Sequence, residues 1–543
     1  MARSPTTAAF DEDEFRNKIP KDTTPADREY YEKLIPVLRA RKPSDRPRIL
    51  IITDIEQDYD DLMAIIFLSE MHRLGVVELA GFIANHQQTL RRARFLRTIV
   101  YLLNLGHLEV AMGTTGVDRN MDETQYARLT GSAYYELKNE TFDKMPWNDK
   151  PHVPGRKPNR QGKEPLTVLL ISSMQDIGEY FKSHEGEVDF FQKHFKKFVS
   201  QGGYTHVNHP DGTCTLDPVM NMNNNLVHKP AAKIYTDCLV KYNLPSDAWS
   251  REAAKAARLE GKTLGNLSDH GPIGTHLSWL YRRQEFKFYW DPYHAPFMPH
   301  LNQGWYATTR LCLDPKSPEY ARFTNPPIPR YQDVEPYSKV IAYDGCAAMG
   351  AVGDDVMEAM GIMRADAVPA YNQHRHRIFG RGRDDEGNED PTDIGGIDGR
   401  ALADTFQVFF YGALRATKDF AAQLIDPRKV EHKKEDSNTM IPLKVFKQQI
   451  PHILKLSEMK ARLKDMKQQL KEMKEAGDIG EAVAAAETKR LEEEIAAYEK
   501  AEFTCPVEGV ERTFPNVPPP KLYPYSLLFE EAVGKTTEGS GGG

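Results

Sequence analysis

The stretch from Arg48 to Ile66 carries the densest chemistry in the chain. Asp54, Glu56, Asp58, Asp60 and Asp61 place five carboxylates within eight positions. Like charges held that close repel, and in one site some must protonate or share a cation. A helix N-terminus offsets only about 0.3–1 kcal/mol of such repulsion, so a divalent metal is the simpler solution. The donors are all oxygen, with no Cys or His among them, which favours a hard cation such as Ca²⁺ or Mg²⁺ over zinc. The other reading of an acidic run is a solvated loop. The apolar segments on either side favour the metal, because they fix the geometry.

Those segments are the elements that must position the carboxylates. The β-branched run Ile49 to Thr53 reads as a buried parallel strand. Leu62 to Leu74 reads as a helix, with Asp60 or Asp61 placed to cap it. The acids therefore lie between a strand end and a helix start, the edge of an open α/β sheet at which ligands bind. The pattern continues as β-α-β through Val76 to Ala84, Thr89 to Leu105 and Leu108 to Met112, which implies a parallel sheet with right-handed crossovers. Leu166 to Ile171 is a further buried strand, and Phe198 to Gly203 ends another. Val340 to Asp344 repeats the opening logic: a short apolar strand, an acid at its end, then a helix.

The run Asp54-Ile55-Glu56-Gln57-Asp58-Tyr59-Asp60-Asp61 resembles, without a gap, the Asp-x-Asp-Pro-Gly-x-Asp-Asp signature of the inosine–uridine-type nucleoside hydrolases. Glu56 replaces the second Asp, and Gln57-Asp58 replace Pro-Gly. It looks closer to a divergent, nucleoside-hydrolase-like branch with an Asp-Ile-Glu-Asn-Glu-Pro-Asp-Asp pattern. Later matches follow in family order across roughly Arg48 to Gly361. The resemblance implies a mostly parallel open sheet flanked by helices and one bound Ca²⁺. The metal residues it implies are Asp54, Glu56, Asp61, the backbone carbonyl of Ile171 (or Ser172, if the register slips) and Asp344, with Asp54 steadying the others from behind. Asp60, Asn85 and Asn224 would grip ribose hydroxyls; without the resemblance, the two asparagines read as turn residues. Glu56 would deprotonate the attacking water. Tyr343 stands where many members have a His that helps the leaving base. Its phenol, with an ordinary pKa of about 10, donates a hydrogen bond but is a poorer proton source than histidine near neutrality.

Aligning Ala231-Ala232 puts Met222 where the family has the Glu that holds the ribose 5′-hydroxyl. Either that end is recognised differently, by Asn221 or Asn223, or the ligand lacks the group. The activity implied is Ca²⁺-dependent hydrolysis of the N-glycosidic bond of a ribonucleoside, giving ribose and free base. The ligand implied is a nucleoside or related riboside. Two alternatives stay open: a hydrolase of another riboside or glycoside, suggested by Glu56, Met222 and Tyr343, and a catalytically silent scaffold that works through a C-terminal helical hairpin.

The rest of the 543 residues is read as follows. Residues 1–46 form an N-terminal extension, a partly disordered lead-in with one amphipathic helix over Glu29 to Arg41. Residues 47–375 are the α/β domain, in which 115–164 is a long insertion of a kind that is either functional or disordered. Residues 376–450 are a charged, Gly-rich linker and a helix over Ala401 to Leu424. In 451–505, Leu456, Met459, Leu463, Met466, Leu470 and Met473 follow the 3-4-3-4-3 spacing of a coiled-coil seam. Gly477 to Gly480 turns the chain into a returning arm, a hairpin with a surface for a homo-oligomer or a protein partner. Residues 506–543 are a tail. The aromatics of Glu285 to Tyr306 are expected in the core, with one or two facing the site. A net charge of −7 without a concentrated basic face argues against nucleic acid. No apolar run approaches the ~20 residues of a membrane span. Five scattered cysteines without CxxC spacing read as reduced thiols in a cytoplasmic protein.

Overall fold

The computed structural model describes residues 10–116 apart from 56–57 and 87–88. It also describes residues 165–424 apart from 212, 221, 266, 295–301, 326–328, 330, 364–374, 384–388 and 391–394, and the helical residues 467, 488–490 and 492–493. The expected insertion beyond Gly116, the seam residues Leu456 to Met473 and the tail lie outside the described residues.

Two N-terminal helices, α1 (Glu12–Lys18) and α2 (Pro25–Ala40), precede strand β1 (Arg48–Thr53) and helix α3 (Asp60–Arg73). Then come β2 (Glu78–Ala84), α4 (Thr89–Leu102), β3 (Val110–Met112), β4 (Leu166–Ile171), α5 (Gln175–Ser183) and β5 (Phe195–Gln201). An antiparallel hairpin, β6 (Tyr204–Asn208) and β7 (Cys214–Pro218), leads to α6 (Lys229–Lys241), β8 (Ser246–Trp249) and the short α7 (Arg251–Ala256). Strand β9 (Leu259–Glu260), helix α8 (Gly271–His294), strand β10 (Lys339–Val340), helix α9 (Tyr343–Ala351), strand β11 (His376–Phe379) and helix α10 (Gly399–Leu424) complete the core.

Seven strands form one sheet in the order β11-β8-β5-β4-β1-β2-β3, and its described pairings are parallel. All six residues of β1 are buried. Because strand side chains alternate, Ile49 and Ile51 enter one core with α3, α9 and α10, while Leu50 and Ile52 enter a second with Tyr180, Phe181, Ala231 and Tyr235 from α5 and α6. A continuous apolar strand is thus the signature of a sheet covered on both faces. The register levels the strand ends that matter: Thr53 pairs with Ala84 on one side and Ile171 on the other, and Gln201 pairs with Trp249.

Helix α3 lies between layers, with 12 of its 14 residues buried. Its N-cap is Tyr59, so Asp60 and Asp61 occupy the first turn instead of capping it. Helix α9 seats closely on the sheet at Gly350, where an added Cβ would lie 2.0 Å from the Trp249 ring nitrogen. Any side chain there would lift the helix that carries Tyr343 and Asp344.

Two stretches differ from expectation. The N-terminal segment from residue 10 is ordered structure: Phe15, Ile19, Tyr31, Leu34, Ile35 and Leu38 join the main core. The Tyr31 hydroxyl donates to Glu70 at 2.9 Å, and Arg73 Nε holds the same carboxylate at 2.7 Å. Within the expected linker, His376 to Phe379 is an edge strand of the sheet, and His376 Nδ1 lies 2.8 Å from the Ser246 hydroxyl.

The chain divides into two compact units, and the second comprises Phe286–Tyr306 with 431–511. Within it, Tyr289 and Tyr293 pack at 5.1 Å between ring centres, and Lys467 Nζ lies 2.7 Å from a Glu492 carboxylate oxygen. That ion pair joins one residue from each arm of the expected hairpin. Cys214, Cys238, Cys312 and Cys346 carry free thiols. Among the described residues, no helix is long and apolar enough to cross a membrane.

Candidate metal and riboside site

The first turn of α3 and the first turn of α9 meet at the C-terminal edge of the sheet. Oxygens of Asp58, Asp60, Asp61 and Asp344 lie within 4.8 Å of one another. Asp61 accepts a hydrogen bond from the Thr53 hydroxyl at the end of β1. Asp60 Oδ2 receives the Asp344 backbone N–H at 3.5 Å, which ties the two helix starts together. Asp54, next after β1, is buried beside Ser172, next after β4. The Asp54 carbonyl accepts from Arg92, as does that of Ile55 at 2.6 Å. This clamp fixes the turn that delivers the acids.

The expected residues are therefore distributed as follows. Asp61 and Asp344 share the carboxylate cluster, and Asp60, expected on the ribose, is inside it. Asp58, one of the acidic run but not among the metal residues that the resemblance implies, is its fourth member. Ile171 ends β4 in register with Thr53. Glu56 lies outside the described residues. Asn85 is fully buried: its amide donates to Asp176 at 2.5 Å and to the Ser173 carbonyl at 3.1 Å, and its oxygen accepts from Ser172. Asn224 donates to the Gln201 side chain at 2.8 Å at the end of β5. Beside Asn85, His86 holds φ 78°, a conformation uncommon for a residue with a side chain.

Burial raises every carboxyl in the group. It lifts Asp54 to about 7, with Arg92 opposing and Asp58 adding to the shift. It lifts Asp60 to about 6, where a hydrogen bond with Asp58 opposes and the Asp61 charge adds. Asp58, Asp61 and Asp344 are pushed well up by burial and then by their neighbours' charges. These acids are stable together when protonated or when a cation neutralises them. Four carboxylates converging from two helix starts, with only oxygen donors, fit a hard divalent ion.

A pH dependence follows. In chelator the folded state holds protons on these acids up to about pH 6–7, whereas the unfolded chain releases them near pH 4. That stability is fully present below about pH 4 and is lost as pH rises through the folded values. The melting temperature in EDTA should thus fall between pH 5 and 8, and saturating Ca²⁺ should restore it at pH 8. A flat profile with no Ca²⁺ effect would count against cation binding here.

Aromatic and cationic side chains stand beside the acids. Tyr343 opens α9, and burial raises its hydroxyl to about 12, with the guanidinium charges of Arg310 and Arg251 opposing. Arg310 is buried at the end of a π-helical turn, Tyr306–Arg310, a geometry frequent at functional sites. It donates to the Tyr59 hydroxyl at 2.7 Å and ion-pairs with the buried Glu285. Tyr59 sits between Asp58 and Asp60, so this network braces the acidic turn from behind. Nothing local in the sequence marks Arg310.

No protein-family model and no curated protein sequence matches the chain. Among solved structures, the type III effector protein XopQ complexed with adenosine diphosphate ribose matches with a TM-score of 0.50. The identity is 15%, over 73% of this chain and 99% of that one. The effector protein XOO4466 follows at 0.49 and 15%, over 72% and 99%. A purine-preferring ribonucleoside hydrolase from Gardnerella vaginalis matches at 0.37 and 13%, over 68% and 99%. The likeness to XopQ is one of fold: the chain has the nucleoside-hydrolase-like α/β architecture, as expected from the sequence.

Proposed function

We propose that this chain is a Ca²⁺-dependent N-glycoside hydrolase that cleaves a ribonucleoside, or a related riboside, to ribose and free base. The observation that carries the reading is the convergence of Asp58, Asp60, Asp61 and Asp344 at the ligand edge of a nucleoside-hydrolase-like sheet. Asp61 and Asp344 would hold the ion, with Asp54, Glu56 and the Ile171 carbonyl completing its surroundings. When bound, the ion supplies positive charge that keeps the acids ionised and fixes oxygen ligands at the sheet edge.

The residues then divide the work. Glu56 takes a proton from water as the water oxygen bonds to the anomeric carbon and the carbon–nitrogen bond breaks. The departing base takes a proton, which the neutral Tyr343 hydroxyl would donate. Asp60 and Asn224 orient the ribose hydroxyls. Asn85 supports them through Ser172 and Asp176, since its own amide is committed to the protein. The helical hairpin expected over 451–505 is proposed as a separate surface for a second copy or a protein partner.

The test is chemical. With Ca²⁺ and a panel of purine and pyrimidine ribonucleosides in ¹⁸O-water, the protein should release ribose labelled at C1 without any need for phosphate. Unlabelled sugar, or release only with phosphate, would replace hydrolysis by another transfer.

A further inference from the structure

Among the described residues, the chain crosses between its two compact units at two places: it leaves the first after Glu285 and returns at Ala307. Helix α8 runs unbroken through the first crossing, from Gly271 to His294, and the π-helical turn Tyr306–Arg310 spans the second. On the first unit's side both are fastened to one side chain, Tyr59. Its ring meets that of Tyr281 edge-on at 5.6 Å between centres, and its hydroxyl donates to Glu285 at 3.4 Å. Tyr281 and Glu285 are four positions apart and so share one face of α8. From the return, Arg310 donates to the Tyr59 hydroxyl at 2.7 Å and ion-pairs with Glu285. Tyr59 is 3% exposed, and its neighbours in sequence, Asp58 and Asp60, both belong to the carboxylate cluster.

We propose that Tyr59 is a positioning residue through which Ca²⁺ at the acidic cluster and the order of α8 beyond Glu285 control each other. The inference rests on the reading above only in placing a divalent ion at the cluster; it needs no riboside and no cleavage. An ion shared by carboxylates on both sides of Tyr59 fixes the backbone from which this side chain projects. In chelator, ionised acids within 4.8 Å of one another repel, and the turn that carries Tyr59 loosens. The contacts around the phenol are of a kind that passes such a change on. They join the turn to a buried ion pair, which is costly to leave without its partners, and to a helix continuous across the boundary, since rigid elements carry coupling between distant sites. The coupling is reciprocal: if Ca²⁺ orders α8, then Ca²⁺ binds more tightly when α8 is ordered, by the same factor.

The test is hydrogen exchange on the full chain, with Ca²⁺ saturating and in chelator, beside calorimetry of Ca²⁺. In the parent, Ca²⁺ should slow exchange of the amides of residues 286–294. Tyr59→Phe keeps the ring and leaves Arg310 paired with Glu285, so melting in chelator should show a folded protein. The variant should lose the Ca²⁺-dependent slowing at 286–294 and bind Ca²⁺ about fivefold to 150-fold more weakly, the range of a typical coupling. Exchange at the start of α9, which holds Asp344 but not this link, should still respond to saturating Ca²⁺. Equal exchange at 286–294 with and without Ca²⁺ in the parent would overturn the inference, whatever the variant does. So would a Tyr59→Phe protein with parental Ca²⁺ affinity and an undiminished response. Faster exchange in the variant by the same amount with and without Ca²⁺ would reduce Tyr59 to packing and overturn it too. Sugar release tests the hydrolase reading separately. Ca²⁺ that slows exchange without any cleavage keeps this inference and removes that reading, and cleavage with Ca²⁺-independent exchange does the reverse.

Discussion

Asp61→Ala and Asp344→Ala are each expected to weaken Ca²⁺ binding by more than the roughly 10–100-fold that loss of an outer partner costs a metal site. Both residues belong to the group whose oxygens converge within 4.8 Å, yet they come from different helices 283 positions apart (344 − 61) in the sequence. Removing either takes a charged oxygen from the same small volume. The variants should stay folded, because each deletion also relieves a repulsion: burial and like charge already push both carboxyls well up. In chelator the two proteins should therefore melt at or above the temperature of the parent. Calorimetry with Ca²⁺ checks the first part and thermal unfolding the second. Unchanged affinity in both variants would mean that the ion binds elsewhere.

The second large effect belongs to the chemistry. Glu56→Gln keeps the size of the side chain but removes its ability to accept a proton. General-base catalysis contributes about 10²–10⁴-fold, and a fall in turnover of that order is expected with Ca²⁺ saturating. Saturation matters, because Glu56 is also assigned to the surroundings of the metal. A proportional loss of Ca²⁺ affinity with normal turnover at saturation would make Glu56 a ligand only. A loss confined to the Michaelis constant would place it in substrate binding.

How much of this was legible in the sequence depended on whether the signal was local. Strand β1 and helix α3 were, because an apolar run ending in acids and then resuming with helical periodicity has few other solutions. Their meeting with Asp344 was implied by the family resemblance and not by the repeated pattern: the strand there is only Lys339–Val340, outside the main sheet, and Asp344 lies in the first turn of α9. Asp58 was counted in the acidic run but left out of the metal residues, because the inosine–uridine signature has Gly there, although the divergent branch has an acid and the density of carboxylates already pointed to it. Asp60 or Asp61 was expected to cap the helix; Tyr59 is the cap, and both acids stand in the first turn, where a negative charge meets the same helix end. Arg310 could not be read. Its burial depends on Glu285 from one helix and Tyr59 from a turn 251 residues away, and no spacing within the sequence encodes that contact. The N-terminal helices were underrated on their polar composition. Tyr31, Leu34, Ile35 and Leu38 recur at helical spacing and all are buried, so the periodicity was the better guide. Strand β11 hid within a charged stretch, because an edge strand needs only one or two apolar positions to join a sheet.

The most direct measurement is a Ca²⁺ titration of chelator-stripped protein with a ribosyl substrate panel, followed in parallel by calorimetry and by release of free sugar. The account predicts that cleavage appears with the same midpoint as Ca²⁺ binding, and that both vanish together in Asp344→Ala. Ca²⁺ bound at the acidic cluster, with no sugar released from any member of the panel, would contradict it and leave a metal-binding scaffold on a hydrolase fold.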